Sequence, residues 1–381
     1  MNPMTTKPRI LVTSAAGRTG APAVLELLRL GFPVRALMRR DDGRAEHLRR
    51  AGAEIFVGNQ LDPRDLERAL DGIQRAYYCP PFAPNLLHGA TLFALAAEQA
   101  QLEVVALMSQ WNPHPGHPVA LTREHWMANS LYRMLPSVDT IHIAPGLFAF
   151  TYLLGLPAIV HLGMLAAPFG DGLNAPPSNE DIGRLAAGVL ASPDRHIGKT
   201  YRPTGPELLA PTDVAAILGR VLGRKVRYQD VPIAMFLKAA TAQGFPKFEM
   251  HDFRTYAQEL AGGTFAAGAP TRHVEEITGR PAEDFESIAR RYLADPDQIS
   301  PGLRAGSKLG ALAFATRMML TPAPDLDRWA AEQNHPAITE PVLAHDSAEW
   351  RRATSRGEVV VSGSSASKRQ EPRPRGDRIV A

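Results

Sequence analysis

Apolar and polar positions follow two rhythms between residue 9 and about residue 150. Short apolar runs such as RILVTS from Arg9 and AEIFVGN from Ala53 are typical of buried strands. Longer runs with apolar residues three and four apart, such as APAVLELLRLG from Ala21, are typical of amphipathic helices. The two kinds of run alternate, which predicts an α/β fold with a doubly wound parallel sheet of the Rossmann type.

After Phe150 the rhythm loosens. Helices are predicted at NEDIGRLAAGVLASP, PTDVAAILGRVLGR and DFESIARRYL, and strands at KTYRPTG and VRYQDVP. We therefore expect a Rossmann domain over 7–150 and a smaller, mainly helical, substrate-side subdomain over 151–298 that shares its sheet. A partly helical extension would cover 299–352. The polar, basic segment 353–381 has the composition of a disordered tail.

Composition and charge exclude several classes of protein. The chain has 381 residues and a formal net charge of only +3, which does not indicate a nucleic-acid-binding protein. Cys79 stands alone, so an internal disulfide is excluded and a reducing compartment is favoured. No signal peptide or uninterrupted apolar span is present in the sequence. We expect a cytoplasmic protein that does not bind membranes.

The segment ILVTSAAGRTG, from Ile10 to Gly20, has the pattern of a phosphate-binding turn between a strand and a helix. Gly17 and Gly20 occupy the second and third positions of a G-x-x-G-x-x-G spacing, and Ser14 occupies the first. The exposed amides at a helix N-terminus bind diphosphates. A plain strand–turn–helix with small residues for packing is the alternative. The expected cofactor contacts here are Thr13, Ser14, Ala15, Ala16, Gly17, Arg18, Thr19 and Gly20.

The end of the second strand indicates which dinucleotide would bind. An acidic residue at this place favours the ribose 2′-hydroxyl of NAD(H), whereas arginine favours the 2′-phosphate of NADP(H). Arg39 and Arg40 come first in VRALMRRDD, and Asp41 and Asp42 follow. We therefore expect NADP(H) to be preferred over NAD(H), with a solvated charged loop as the alternative.

With these residues the chain resembles the NmrA-like family of atypical short-chain dehydrogenases/reductases. The resemblance runs from about Arg9 to Tyr292 and includes VTSAAGRTG, VRALMRR, GAEIFVGNQLDPRDLERALDGI, EDIGRLAAGVL and HVEEITGRPAEDFESIARRY. The family includes NADP-binding co-regulators, redox sensors, and reductases of quinones, azo dyes and triphenylmethane dyes. The resemblance implies cofactor contacts from Asn59, Gln60, Pro80, Pro81, Phe82, Ser109, Pro145, Gly146 and Phe148, and places Thr151 in the loop that closes over the nicotinamide.

The sequence departs from this group at the residues that move protons. No tyrosine has a lysine four positions on, so the Tyr-x-x-x-Lys pair of ordinary short-chain dehydrogenases is missing. His125 and Asn129 have that spacing instead, and both would lie on one helix face. His125 is our candidate catalytic residue, as a hydrogen-bond partner of the nicotinamide ribose or as a proton donor. A half-buried packing histidine is the alternative. Ala144 replaces an arginine frequent in the group.

Other candidate residues are aromatic or histidine. Trp111, Trp126 and Phe148 would line an aromatic substrate pocket, although core packing explains them equally well. Asn129 and Thr151 are further candidates for substrate contact. His114, His117 and His125 have the residue type of a zinc site, but the loop NPHPGHP offers no cysteine or carboxylate partner nearby. We predict no metal site.

Two functions stay open from the sequence. The first is an oxidoreductase that transfers hydride from NADPH to a planar aromatic, quinone-like or dye-like acceptor. The second is a catalytically weak sensor of NADPH against NADP⁺ that acts through a regulatory protein partner. The sequence also leaves the oligomeric state open.

Overall fold

A computed structural model describes residues 7–300, 302–336 and 338–362. The strands are β1 (Ile10–Val12), β2 (Val34–Met38), β3 (Glu54–Val57), β4 (Arg75–Tyr78), β5 (Val104–Met108), β6 (Asp139–Ile143), β7 (Met164–Ala167), β8 (Thr200–Tyr201) and β9 (Arg227–Asp230). The helices are α1 (Gly20–Arg29), α2 (Gly43–Arg50), α3 (Pro63–Leu70), α4 (Leu86–Gln99), α5 (Ala120–Arg133), α6 (Asn179–Ala191), α7 (Pro211–Leu222), α8 (Ile233–Ala242), α9 (Lys247–Ala261), α10 (His273–Thr278), α11 (Phe285–Ala294), α12 (Lys308–Leu320), α13 (Leu326–Glu332) and α14 (Ala348–Ser355).

Seven strands form one parallel sheet in the order β3-β2-β1-β4-β5-β6-β8. Val12 of β1 pairs with Ala36 of β2 on one side and with Tyr77 of β4 on the other. The chain therefore reverses its direction of winding between β1 and β4. Such a switch point opens a crevice at the carboxyl ends of the strands. The predicted doubly wound α/β fold is confirmed.

Alternate residues of each strand pack on opposite faces of the sheet. Ile10 and Val12 pack with α1, α2 and α6, whereas Leu11 packs with α3, α4 and α5. The two helices α1 and α6 approach closely because α6 has a glycine at the contact. A Cβ on Gly183 would lie 2.6 Å from Pro22 Cβ. This contact fixes the first turns of α1, where the predicted phosphate-binding turn ends.

The C-terminal half has a core of its own and is mainly helical. Its strands β7 and β9 form a second, two-stranded parallel sheet. Tyr152, Phe169, Phe265 and Tyr292 are buried together in this core. Within the part of the chain that the structure describes, no helix combines the length and hydropathy needed to cross a bilayer.

Residues 353–362, the first part of the segment expected to be a disordered tail, pack against the fold. Helix α14 continues to Ser355, and Val359 and Val361 are buried against Ala144. The Val359 amide donates to Thr200 Oγ1 at 3.3 Å, and the Ser362 amide donates to Ser130 Oγ at 2.8 Å. Buried valines therefore anchor residues up to 362 on the sheet edge. The remainder of the predicted tail lies outside the described residues.

Candidate active site

The segment from Thr13 to Thr19 joins β1 to α1 over the carboxyl end of the sheet. The Thr13 amide donates to Tyr77 O and the Ala15 amide to Leu37 O, each at 3.1 Å. Main-chain bonds thus tie the turn to β4 on one side and to β2 on the other. The turn is held directly at the switch point, where a dinucleotide would bind.

The two glycines of the turn have no room for a side chain. A Cβ on Gly20 would lie 2.4 Å from Ser14 O, and a Cβ on Gly17 would lie 2.9 Å from the same oxygen. Both clashes involve main-chain atoms, which cannot move aside as a flexible side chain would. The glycine spacing therefore reflects close packing of the turn on the start of α1.

Ser14 adopts the backbone conformation that the missing first glycine would supply. Its φ angle is +47°, a left-handed value that disfavours residues with a Cβ. Its hydroxyl donates to Cys79 O at 2.9 Å and accepts from Gln60 Nε2 at 3.2 Å. These two bonds hold the serine in place. The hydroxyl is directed to the loops that follow β3 and β4 and is not free to bind a phosphate.

The Thr19 hydroxyl also faces inward. It accepts from Tyr77 Oη at 3.1 Å and lies 3.5 Å from Cys79 Sγ. Thr19 is one of the expected cofactor contacts, but its hydroxyl is not available to a diphosphate because residues of β4 and its loop already use it. Burial raises the pKa of the Cys79 thiol. The thiol is thus a neutral packing group below the turn.

Main-chain amides are the groups that the turn offers to an anion. The Ala16, Arg18 and Thr19 amides form no hydrogen bond within the described residues. They precede α1, so the partial positive charge of the helix N-terminus adds to theirs. The turn has the donor set that a diphosphate requires.

Arg18 extends from the turn to the C-terminal half of the chain. Its Nη2 donates to Ile299 O at 2.8 Å, and its guanidinium carbon lies 4.2 Å from the centroid of the Phe150 ring. The carboxylate of Glu249 on α9 lies close enough for its charge to act on Arg18. Arg18 thus links the turn to the opposite wall of the crevice.

Arg39 and Arg40 follow β2 as expected and are exposed. Neither forms an ion pair with any described residue, whereas both following aspartates do. Asp41 binds Arg49 at 2.8 Å, and Asp42 caps α2 by accepting from the Arg44 amide at 3.0 Å. The side chain and amide of Arg44 lower the pKa of Asp42 to about 2. The cations are therefore free for a ligand, and the carboxylates are not.

Asn59 and Gln60 follow β3, where the resemblance implies contacts with adenine. Asn59 Oδ1 accepts from the Leu61 amide at 3.1 Å, so the loop already uses this oxygen. Its amide NH₂ group is the part left for a base. Gln60 is buried beneath the turn and binds Ser14, so its side chain supports the turn from below.

The loops after β4, β5 and β6 meet at the other end of the crevice. Pro80, Pro81 and Phe82 follow β4, and the exposed Phe82 ring lies 5.9 Å from that of Phe248 on α9. Ser109 follows β5, and its buried hydroxyl has no partner among the described residues. Pro145 and Gly146 follow β6.

Trp111 belongs to the core. Its side chain is 1% exposed and its Nε1 donates to Thr264 O at 2.9 Å. Behind it, Trp350 Nε1 donates to Trp111 O at 3.0 Å. The expectation that Trp111 contacts substrate is therefore corrected in favour of core packing. Two other expected contacts, Phe148 and Thr151, are half-buried. Thr151 Oγ1 donates a hydrogen bond to Phe148 O at 2.6 Å.

One face of α5 carries the candidate catalytic residue His125 and the candidate substrate contacts Trp126 and Asn129. Thr122, Trp126 and Asn129 each have a buried polar side-chain atom without a partner among the described residues. His125 lies on the same helix and is 5% exposed. Burial lowers the pKa of His125 to about 3, so the imidazole is neutral near pH 7. The neutral imidazole is a poor proton donor. Of the two roles expected for His125, this favours a hydrogen bond to the nicotinamide ribose over proton donation.

The histidines of the NPHPGHP loop have a structural role. His117 Nδ1 accepts from the Val119 amide at 3.1 Å, so the proton is on Nε2, which donates to Glu259 Oε1 at 3.3 Å. The His114 ring stands edge-on to that of His117. Among the described residues, no group of histidine, cysteine and acidic side chains has the arrangement of a metal site.

Helix α9 is not predicted by the sequence pattern. Glu249, Asp252, Tyr256 and Glu259 recur every three or four residues and therefore share one face of this helix. Glu259 is fully buried and binds Asn112 as well as His117. The regular spacing of acidic residues was the available signal, although a stripe of charges usually faces solvent.

Comparison with known proteins identifies the first part of the chain. Residues 6–124 match the model of the NmrA-like family. An NAD(P)H azoreductase of Xenophilus azovorans is 28% identical over 286 residues, which cover 75% of this chain and 98% of that enzyme.

Solved structures show the same fold as this chain. The NADPH-dependent quinone oxidoreductase QOR2 of Escherichia coli, solved with NADPH, has a TM-score of 0.66 at 22% identity. The triphenylmethane reductase of Citrobacter sp., solved with NADP(H), has a TM-score of 0.66 at 20% identity. Each alignment covers 74% of this chain and 99% of the other.

Proposed function

We propose that this protein is an NADP(H)-dependent oxidoreductase that transfers hydride to a planar azo, quinone or triphenylmethane acceptor. The observation that best supports this proposal is that Arg39 and Arg40, which follow β2, are not paired with the neighbouring aspartates. Both aspartates form ion pairs with arginines of α2. The azoreductase relative and the two reductase structures support the class of reaction. No feature of the described residues favours the regulatory alternative.

The residues of the turn fit a dinucleotide. The Ala16, Arg18 and Thr19 amides would hold the diphosphate, and the close packing at Gly17 and Gly20 would let it approach the main chain. Arg39 and Arg40 would bind the 2′-phosphate. When bound, NADPH supplies the hydride. The chain's own task is then to hold the acceptor against the nicotinamide and to exclude water.

The substrate side offers polar groups that lack partners within the described part of the chain. Ser109 Oγ, Trp126 Nε1 and both side-chain polar atoms of Asn129 are buried in this state. Buried donors and acceptors without partners destabilise a fold by about 1–3 kcal/mol each. Hydrogen bonds to the nicotinamide ribose and to an acceptor would satisfy these groups.

Arg39→Ala is expected to weaken NADPH binding about 100-fold and to leave NADH binding nearly unchanged. The loss corresponds to about 2.8 kcal/mol, within the range for charged hydrogen bonds, and only NADPH has the 2′-phosphate. Titration of both cofactors by calorimetry measures the difference. Arg50→Ala, an exposed arginine of α2 bonded to Glu46, is the control. Equal weakening of NADPH and NADH would refute the 2′-phosphate assignment.

His125→Ala is expected to lower turnover about tenfold while NADPH affinity is retained. The reason is that this hydrogen bond would orient the nicotinamide ribose and be stronger by about 1.4 kcal/mol in the transition state than in the bound ground state, so its loss lowers the rate and not the affinity. Steady-state rates with an acceptor panel, together with NADPH titration, make the test. His47→Ala on the exposed side of α2 is the control. An unchanged rate would leave His125 as a packing residue.

A further inference from the structure

Helix α9 crosses the crevice on the side opposite the sheet. At its start the Phe248 ring lies 5.9 Å from that of Phe82, which follows β4. One residue on, the charge of Glu249 acts on Arg18, which follows β1. The start of α9 is thus above the turn and the β4 loop.

The other end of α9 reaches the segment that follows β5. Glu259 accepts a hydrogen bond from Asn112 Nδ2 and one from His117 Nε2. The Ala344 amide donates to Glu259 Oε1 at 2.9 Å. The helix is therefore fixed at both ends, over the carboxyl ends of β1, β4 and β5.

Asp252 lies between these two ends, on the same face of α9. It is 4% exposed, and its Oδ1 has no hydrogen-bond partner among the described residues. The Thr122 hydroxyl of α5 faces the carboxyl, but the pair falls short of hydrogen-bonding geometry and Thr122 Oγ1 also has no partner. His125 and Trp126 occupy the next turn of α5. A buried carboxyl thus faces the helix that carries the candidate catalytic residue His125.

The charge state of this carboxyl is set by its surroundings. Burial raises the pKa of Asp252 to about 8, the charge of Glu259 and then of Glu249 adds to this, and the Thr122 hydroxyl opposes it. Tyr256, on the next turn of α9, is a further titratable group that faces it. None of the described residues acts on this carboxyl as a cation, so at pH 7 Asp252 is mainly a neutral acid with a proton to give.

We propose that Asp252 is the catalytic acid of this oxidoreductase when the acceptor is an azo compound. The inference rests on the proposed function. One azo nitrogen accepts the hydride, and the π bond of N=N breaks. The second nitrogen takes up that electron pair and accepts the proton from the Asp252 carboxyl. The products are a hydrazine, NADP⁺ and the Asp252 carboxylate, which water reprotonates.

Two kinds of acceptor distinguish a catalytic role of Asp252 from a purely structural role. Hydride transfer to an azo bond leaves a strongly basic nitrogen, so a proton donor accelerates it. A cationic triphenylmethane dye accepts hydride at its central carbon and becomes neutral without taking up a proton. A lost proton donor affects the first reaction only, whereas a disturbed pocket affects both.

Asp252→Asn keeps the shape of the side chain and removes its acidic proton. We expect azo-dye turnover to fall about 100-fold, with the rate on a cationic triphenylmethane dye and the NADPH affinity unchanged. In the wild type the azo rate should fall as pH rises through about 8, and the variant should lack this step. Asp71→Asn, at the exposed end of α3, is the matched control.

The protonation state of Asp252 can also be tested in the protein without cofactor or acceptor. Infrared difference spectra between pH 6 and pH 10 should show the carbonyl stretch of one protonated carboxyl that Asp252→Asn removes. Equal loss of both dye activities, or a wild-type azo pH profile in Asp252→Asn, would overturn the inference while the proposed function stands. A wild-type protein that binds NADPH and reduces no acceptor would refute the proposed function and this role together.

Discussion

Gly20→Ala is expected to reduce the free energy of unfolding by about 2 kcal/mol and to weaken NADPH binding at least 100-fold. The added Cβ would lie 2.4 Å from Ser14 O and 3.0 Å from Ala15 Cα. Both neighbours are main chain, so the turn itself must move, at a cost of about 1–3 kcal/mol. Because the same turn would supply the diphosphate amides, the movement also displaces the binding groups.

Gly43→Ala is the matched control for this prediction. Gly43 also begins a helix, and a Cβ there would meet no atom within 4 Å. It should bind NADPH as the wild type does. Thermal unfolding and NADPH titration of the two variants make the comparison. Wild-type NADPH affinity in Gly20→Ala would contradict the assignment of this turn to the diphosphate.

The elements of the first half could be predicted because the sheet is buried on both faces. Strand Val104–Met108 is a continuous apolar run, Val34–Met38 is apolar apart from Arg35, and all residues of both strands are buried. The helices between them have one apolar face and the usual start signals, such as Asp62 and Pro63 at α3. Local sequence and tertiary position agree here, so periodicity alone identified the fold.

Helix α9 could not be predicted from periodicity because its polar side faces inward. Asp252 and Glu259 are buried, and Gln258 is exposed. A helix that buries carboxyl groups does not show the apolar stripe by which helices are recognised. The partners that make this burial tolerable for Glu259, Asn112 and His117, lie more than a hundred residues earlier.

Positions in the site were easier to predict than the directions of side chains. Ser14 and Thr19 fall in the turn as expected, but their hydroxyls are bound by Cys79 and Tyr77, which belong to the region of β4. Trp111 follows β5 as expected, yet Thr264 and Trp350 draw it into the core. These contacts join distant parts of the chain, and no local pattern encodes them.

Acidification from pH 6.5 to about 4 is expected to reduce the free energy of unfolding by about 3 kcal/mol for each of two buried histidines. Burial lowers the pKa of His125 to about 3, and burial together with the charge of Arg133 lowers that of His142 to about 3. An unfolded histidine takes up its proton near pH 6.5. The unfolded state therefore binds more protons as pH falls, and native stability is lost in this window.

His142→Leu is expected to remove about half of this loss of stability. Leucine has a similar volume and no proton to take up, and His142 lies in β6 with both ring nitrogens buried. Urea unfolding at several pH values gives the slope of stability against pH. His47→Leu, on the exposed side of α2, should keep the wild-type slope. A wild-type slope in His142→Leu would mean that the native histidine is already protonated.

Asp252→Asn is expected to change the dependence of stability on pH in the direction opposite to that of His142→Leu. The pKa of Asp252 is raised to about 8 in the folded state, so its unfolded form loses the proton first. Its contribution to stability is therefore complete below about pH 4 and is lost as pH rises to about 8. Between pH 4 and 6.5 this gain on acidification partly offsets the loss from His125 and His142. In that window Asp252→Asn should therefore be more acid-sensitive than the wild type, and His142→Leu less so.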